Sequence, residues 1–159
     1  MNLAFASRAM STGGADRPLP SPTPAVEETR APVQLEQDRV LIVEDNYFVG
    51  LTIENALIDA GYQILGVVAS GEEALELARA ESPHLVLMDI RLAGEMDGIE
   101  AAIALRARGI TCLMASAHSD EAMKRRAAGA QPAGWLVKPF SNAELVATVK
   151  AALQKPHRH

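Results

Sequence analysis

The chain has 159 residues, 48% of them hydrophobic, which is enough for one domain with a real core and too little for two. Its net charge of −5 excludes a general attraction to nucleic acid or to an anionic membrane, so such a partner would need a local basic patch. The single cysteine, Cys112, rules out an internal disulfide, and no apolar run approaches the roughly 20 residues that cross a bilayer, so we expect a cytoplasmic protein.

The first 37 residues differ in character from the rest of the chain. Every second residue from Pro18 to Pro24 is proline, and the surrounding Ser, Thr, Ala and charged residues show no sustained periodicity. This composition predicts a disordered N-terminal extension over residues 1–37, for which a passive tail is favoured over a docking motif. A single domain is then expected over residues 38–159.

From residue 39 onward, short apolar runs alternate with segments of helical periodicity. Each run is too short for a core helix and is rich in branched aliphatic residues, which is typical of buried parallel strands. The predicted strands are residues 40–43, 64–68, 85–88, 111–115 and 134–137. Five such strands, each followed by a helix, predict an α/β, doubly wound parallel sheet with helices on both faces. The strand order assumed for it is 2-1-3-4-5, the order of flavodoxin-like sheets.

The helices between these strands carry recognisable start and stop signals. An apolar face on the first helix is predicted from Val49, Ile53, Ala56, Leu57 and Ala60. Ser70 and Ser141 have capping-box spacing and predict the starts of the second and fifth helices. Gly61 is expected to cap the first helix, and Gly109 and Gly129 are expected to close the third and fourth.

Unusual residues follow four of the five predicted strands. Glu44 and Asp45 follow strand one, Asp89 follows strand three, Ser116 follows strand four and Lys138 follows strand five. Ligands of open parallel sheets bind beyond the carboxyl ends of the strands, where the strand order reverses. That point lies between strands one and three, so we expect the three carboxylates to meet there with Ser116 and Lys138 nearby.

Three clustered carboxylates require a counter-charge. Each pair at 4 Å repels by about 4 kcal/mol at an effective dielectric constant of about 20. Hard oxygen donors favour Mg²⁺ over zinc, and magnesium sites often complete their shell with phosphate, so the pattern predicts phosphoryl chemistry. Lys138 would pair with phosphate oxygens and the Ser116 hydroxyl would hydrogen-bond another. Glycine-rich phosphate loops are missing from the sequence, which makes nucleotide binding an unfavoured alternative.

Five segments together resemble the receiver domain of two-component response regulators. They are "VLIVEDN" at 40–46, "LVLMDIRL" at 85–92, "DGIEA" at 97–101, "ASAHSD" at 115–120 and "WLVKPF" at 135–140. The resemblance covers residues 39–154, and the combined motifs are far more specific than any single one. The sequence is therefore interpreted as a stand-alone receiver.

The resemblance implies a role for each matching position. Asp89 corresponds to the phosphoacceptor, which attacks a phosphohistidine on a partner, so that the protein would catalyse its own phosphorylation and dephosphorylation. Glu44 and Asp45 correspond to Mg²⁺ ligands, together with Asp89 and the backbone carbonyl of Arg91. Lys138 corresponds to the lysine that pairs with the phosphoryl group.

Further positions correspond to the switching and tuning residues of the family. Pro139 is the candidate for a cis peptide bond, Ser116 corresponds to the switch hydroxyl and Trp135 to the switch aromatic residue. Ser116 replaces the commoner Thr and Trp135 replaces Tyr or Phe, and Trp135 could equally be a core residue. Arg91 and His118 occupy positions where the family tunes dephosphorylation, and their bulk suggests a long-lived phosphoryl state.

The expected partners follow from the same resemblance. A sensor histidine kinase or a histidine phosphotransfer protein would donate the phosphoryl group, and a downstream protein effector would read it. Phosphate relay, phosphate sink and effector binding remain alternatives, as do a monomer and a dimer that forms on phosphorylation. A second possibility is the receiver part of a transcription-regulating response regulator, and a third is a degenerate receiver that binds constitutively. No direct nucleic-acid or membrane contact is expected.

Overall fold

The described part of the protein, in a computed structural model, consists of residues 13–14, 18–22, 35–118 and 120–156. Most of the expected N-terminal extension, residues 1–37, lies outside these ranges, as does the end of the chain from residue 157. One compact unit begins at Leu35. Within the described ranges, no helix is both long enough and apolar enough to cross a membrane.

Five strands alternate with five helices, as the sequence predicts. The strands are β1 (Arg39–Val43), β2 (Gln63–Val68), β3 (Leu85–Asp89), β4 (Cys112–Ser116) and β5 (Trp135–Val137). The helices are α1 (Tyr47–Asp59), α2 (Gly71–Glu81), α3 (Gly98–Arg106), α4 (Glu121–Arg126) and α5 (Asn142–Gln154). All neighbouring strands pair in parallel in the order β2-β1-β3-β4-β5, which confirms the predicted flavodoxin-like sheet.

The core lies on both faces of the sheet because successive strand residues point to opposite sides. On one face Leu41 and Val43 pack with residues of α2 and α3, and on the other Val40 and Ile42 pack with residues of α1 and α5. Strands β3 and β4 are buried along their whole length. Cys112 belongs to this buried set, and burial raises the pKa of its thiol to about 12.

The strand register brings the predicted site to one edge of the sheet. Val43 lies opposite Met88 and Asp89 lies opposite Ala115, so the residues that follow β1 and β3 and the end of β4 stand at the same level. The backbone amide of Lys138 donates to the carbonyl of Ser116 at 2.8 Å, which places the end of β5 beside them. The expected convergence of strand ends is therefore confirmed.

The helix termini follow the sequence signals with one clear exception. The side chains of Ser70 and Ser141 accept hydrogen bonds from amides in the first turns of α2 and α5, as expected. Gly61 and Gly109 adopt left-handed φ angles of 95° and 78° just beyond α1 and α3. The expectation that Gly129 closes the fourth helix is wrong.

The chain continues beyond α4 because its next residues are held by the core. Residues Ala127–Ala130 form a 3₁₀ turn that contains Gly129, and the left-handed residue that ends it is Gln131, with φ of 44°. Ala127 and Ala130 are buried in the face of the sheet that α3 covers, so packing extends the turn past the glycine. On α1, the predicted apolar face is buried at Ile53, Ala56 and Leu57 but not at Ala60, which is exposed.

The start of α3 lies unusually close to the end of β3. The amide of Gly98 donates to the carbonyl of Ile90 at 2.9 Å. A β-carbon on Gly98 would lie 1.9 Å from the carbonyl oxygen of Asp89, which no backbone adjustment within an intact β3 can accommodate. Only glycine fits at this position.

We therefore expect Gly98→Ala to destabilise the protein by about 3 kcal/mol, because the added methyl collides with the backbone rather than with a movable side chain. Gly129→Ala is the matched control, since its nearest neighbours are side-chain atoms of Ile103 at 3.6 Å. The control should change stability by less than about 0.5 kcal/mol. Chemical denaturation of both variants checks this, and equal effects would contradict it.

Candidate functional site

Three carboxylates meet at the carboxyl edge of the sheet. Glu44 and Asp45 follow β1 and Asp89 is the last residue of β3, and one carboxylate oxygen from each lies within 4.8 Å of the others. Glu44 is only 4% exposed and Asp89 only 7% exposed, whereas Asp45 is exposed. Two buried negative charges and one exposed one thus share a single small region.

One cation balances part of this charge. The ammonium nitrogen of Lys138 lies 2.6 Å from Oε2 of Glu44 and 2.9 Å from Oδ2 of Asp89. Burial by itself would lower the pKa of Lys138, but the hydrogen bonds and negative charges of Glu44 and Asp89 outweigh it and raise the pKa. Lys138 therefore stays protonated and links β5 to both β1 and β3. The peptide bond between Lys138 and Pro139 is cis, as expected.

The Glu44 carboxylate is held in place from two sides. Its Oε1 accepts a hydrogen bond from the amide of Asn46 at 3.1 Å, while Oε2 faces Lys138. Burial raises the pKa of Glu44, and the Asp89 charge raises it further, while the Lys138 and Asn46 hydrogen bonds lower it. The Asn46 side chain in turn accepts from the amide of Val49 and caps α1. The start of α1 is thus tied directly to the acidic cluster.

Both carboxylate oxygens of Asp89 accept a hydrogen bond. Its Oδ1 accepts from the amide of Arg91 at 3.2 Å and its Oδ2 from Lys138. A cavity of about 340 Å³ opens over these groups, and Arg91, Ser116 and His118 also line it. The predicted site residues are thereby brought together around one space, except for Trp135, which is half-buried on β5 and does not line this cavity.

The Ser116 hydroxyl is engaged with its own loop. It donates to the carbonyl of His118 at 2.5 Å and accepts from the amide of the same residue at 3.1 Å. The thioether of Met123, on α4, lies 3.5 Å away. Sequence patterns did not predict this contact with Met123, nor the capping role of Asn46, although Asn immediately before a helix is a known start signal.

The donor set fits a hard divalent cation. Three carboxylates carry three negative charges and Lys138 carries one positive charge, which leaves two negative charges when all are ionised. Carboxylate oxygens are the ligands that hard cations prefer, and the exposed Asp45 and the adjoining cavity leave room for water. The cluster of Glu44, Asp45 and Asp89 could therefore bind a metal ion.

Comparison with known proteins agrees with this geometry. The family model described as "Response regulator receiver domain" matches residues 40–150. The Transcriptional regulatory protein PdtaR of Mycobacterium tuberculosis is 35% identical over 118 residues, which cover 74% of this chain and 57% of that protein. The Chemotaxis protein CheY of Thermotoga maritima is 35% identical over 113 residues, which cover 68% of this chain and 91% of that protein.

Solved structures share the same fold. The signal receiver domain of the response regulator NarL from Mycobacterium tuberculosis superposes with a TM-score of 0.69 at 31% identity and covers 76% of this chain and 99% of that one. Chemotaxis protein CheY4 of Vibrio cholerae superposes with a TM-score of 0.68 at 28% identity and covers 73% and 98%. The chain thus spans nearly all of the single-domain relatives but little more than half of PdtaR.

Removing the lysine should leave buried negative charges without a partner. We expect Lys138→Met to lower the free energy of unfolding by about 2 kcal/mol when no divalent cation is present. Added divalent cation should recover much of the loss, because it binds the folded acidic cluster and not the unfolded chain.

Denaturant unfolding with and without the cation measures both effects. Lys150→Met, at an exposed position on α5, is the matched control and should change little in either condition. A Lys138→Met protein as stable as the wild type in cation-free buffer would contradict this account of the charge balance.

Proposed function

This chain belongs to the response regulator receiver domain family of two-component signalling, and from that premise we propose that it is a phosphoacceptor response regulator. It takes a phosphoryl group from a partner histidine kinase or histidine phosphotransfer protein onto Asp89 and signals by binding another protein. The observation that carries this proposal is the position of the Asp89 carboxylate, nearly buried, between Lys138 and two further acids at the mouth of a cavity.

The proposed reaction is a transfer between two nucleophiles. A carboxylate oxygen of Asp89 attacks phosphorus and an acyl phosphate bond forms. The P–N bond of the phosphohistidine breaks, its electron pair goes to the ring nitrogen, and the histidine leaves as a neutral imidazole because its other ring nitrogen already carries a proton. Within the site, no described residue is placed as a dedicated base. Lys138, whose ammonium nitrogen lies 2.9 Å from Oδ2 of Asp89, supplies a positive charge beside the attacking carboxylate. The protein contributes position and charge.

The metal assigned to the site is Mg²⁺. Glu44, Asp45 and Asp89 would hold it together with the backbone carbonyl of Arg91. When bound, the ion neutralises charge that builds up on the transferring phosphoryl group. Lys138 would turn from the Asp89 oxygen that it now contacts to a phosphoryl oxygen, since the acyl phosphate adds three strong acceptors within its reach.

Switching is proposed to start at Ser116. Its hydroxyl now bonds to the backbone of His118, and it has to leave that acceptor to reach a phosphoryl oxygen. Helix α4 would then move, and its anchoring is weak because none of its six residues is fully buried and Met123 is only partly buried against the core. Arg126, at the end of α4, is paired with Asp97 at the start of α3, so movement of α4 would also change that contact. The Trp135 side chain would change its position or its surroundings when α4 moves.

Two residues are proposed to control the lifetime of the acyl phosphate. Arg91 and His118 are exposed and line the cavity over Asp89, which supports a role in hindering the approach of attacking water. A long-lived phosphoryl state is the consequence. Water would reach the phosphorus more easily in variants with small side chains at these two positions.

A second candidate is the receiver part of a transcription-regulating response regulator. It is favoured by the relatives PdtaR and PrrA of Mycobacterium tuberculosis, which are named as transcriptional regulatory proteins and of which this chain spans 57% and 50%. In either case the partners, the cytoplasmic location and the choice between monomer and phosphorylation-dependent dimer stay predictions. The phosphorylation chemistry is common to both.

Phosphorylation is tested with a small acyl phosphate donor and Mg²⁺. Wild-type protein is expected to gain the mass of one phosphoryl group, and Asp89→Ala is expected to gain none, because the nucleophile is gone. Asp59→Ala removes an exposed carboxylate at the end of α1 and serves as the control. Intact-protein mass spectrometry gives the result, and an unchanged gain in Asp89→Ala would refute the assignment.

The switch role of Ser116 has a separate readout. Trp135 is the only tryptophan, so its fluorescence reports on β5 alone. Phosphorylation is expected to change this signal in the wild type, whereas Ser116→Ala should be phosphorylated at Asp89 with at least half of the wild-type change lost. Equal fluorescence changes in the two proteins would show that the hydroxyl does not transmit the signal.

A further inference from the structure

The loop that joins β3 to α3, residues 90–97, begins at the candidate phosphoacceptor and is anchored at both ends. At its start, the amide of Arg91 donates to Oδ1 of Asp89 at 3.2 Å. At its end, the amide of Gly98 donates to the carbonyl of Ile90 at 2.9 Å. These bonds fix where the loop leaves and returns, but they do not fix the path of the residues between.

The middle of this loop is held by the segment that joins β2 to α2. Ser70 and Ala93 form an isolated parallel bridge, and the amide of Ala93 donates to the carbonyl of Ala69 at 3.2 Å. One side chain adds to these backbone contacts: Oε1 of Glu72, in the first turn of α2, accepts from the amide of Met96 at 3.0 Å. Helix α2 contributes no side chain to the cavity over Asp89, but it is hydrogen-bonded to the adjoining loop.

The loop backbone is shaped to receive the Glu72 carboxylate. Gly94 adopts φ of 90°, and a β-carbon there would lie 2.8 Å from Oε2 of Glu72. Hydrogen bonds from its own backbone amide and then from that of Met96 lower the pKa of Glu72, so the acceptor is ionised near neutral pH. The Met96 side chain packs against Gly71, where a β-carbon would lie 3.1 Å from its sulfur. Carboxylate and loop are thus fitted to each other.

We propose that Glu72 is a positioning residue for the phosphorylation site, because it holds residues 90–97 in the path that presents the Arg91 carbonyl to Mg²⁺. This inference rests on the proposed function, which assigns that carbonyl to the metal. A backbone carbonyl cannot be aimed by its own side chain, so its direction depends on the path of the loop. Groups that hold the ligands of a metal change its affinity without touching it.

The test uses unphosphorylated protein and three variants. Glu72→Ala removes the acceptor, Glu72→Gln keeps an oxygen that can accept from Met96, and Glu76→Ala removes a charge from an exposed position on the same helix. Mg²⁺ affinity is measured by titration calorimetry. Amide hydrogen exchange at Met96 is measured by NMR without metal, and denaturant unfolding checks that each variant is folded.

Glu72→Ala is expected to weaken Mg²⁺ binding about 10-fold and to speed exchange at Met96 about 10-fold. Glu72→Gln should stay within about twofold of the wild type in both measurements, and Glu76→Ala should match the wild type. Faster exchange with unchanged Mg²⁺ affinity would overturn the proposal, since the loop would then be held without positioning a ligand. Unchanged exchange and affinity would overturn it as well.

These measurements, together with the mass-spectrometric phosphorylation assay described above, separate this inference from the proposed function. If wild-type protein binds Mg²⁺ but gains no phosphoryl group, the proposed function fails while the effect of Glu72 on metal binding still stands. If wild-type protein is phosphorylated at Asp89 and Glu72→Ala binds Mg²⁺ as tightly, only the role of Glu72 is lost.

Discussion

The repulsion among three carboxylates at one edge of the sheet is the constraint on which the site depends. Lys138 offsets part of this repulsion. Its ammonium group contacts both Glu44 and Asp89, so residues at the ends of three strands that are distant in sequence meet there. The contact links the end of β5 to the ends of β1 and β3, with which β5 has no backbone pairing. One lysine cannot neutralise three acids. The folded protein therefore keeps a local excess of negative charge, which a divalent cation can neutralise.

Much of this arrangement could be predicted from the sequence because it depends on strand ends. Parallel strands deliver the residues that follow them to a common edge, so Glu44, Asp89 and Lys138 could be placed without knowing any contact. The hydrogen-bond partners of residues inside loops could not be predicted in this way. The acceptor of the Ser116 hydroxyl is set by the path of the loop after β4, and the contact of Glu72 joins residues 24 positions apart that no periodicity connects.

The wrong expectation at Gly129 has the same origin. Glycine is a reliable stop signal when a helix end is free in solvent, but here Ala127 and Ala130 are buried in the core and hold the turn together around it. Packing across the sheet therefore decides where the segment after α4 ends. The contrast with α4 itself is informative: the turn has two buried alanines, while none of the six residues before it is fully buried and Met123 is only partly buried against the core, so α4 is the more weakly anchored of the two.

The buried thiol of Cys112 has a practical meaning for anyone who wants to watch that movement. Its pKa of about 12 and its place on a central strand leave it unreactive toward maleimides and oxidants while the domain is folded. A cysteine introduced on the surface of α4 would therefore be the only labelled position. Fluorophores or spin labels could be attached there without first replacing Cys112 by another residue. Whether Cys112 stays unlabelled would show whether the domain is folded.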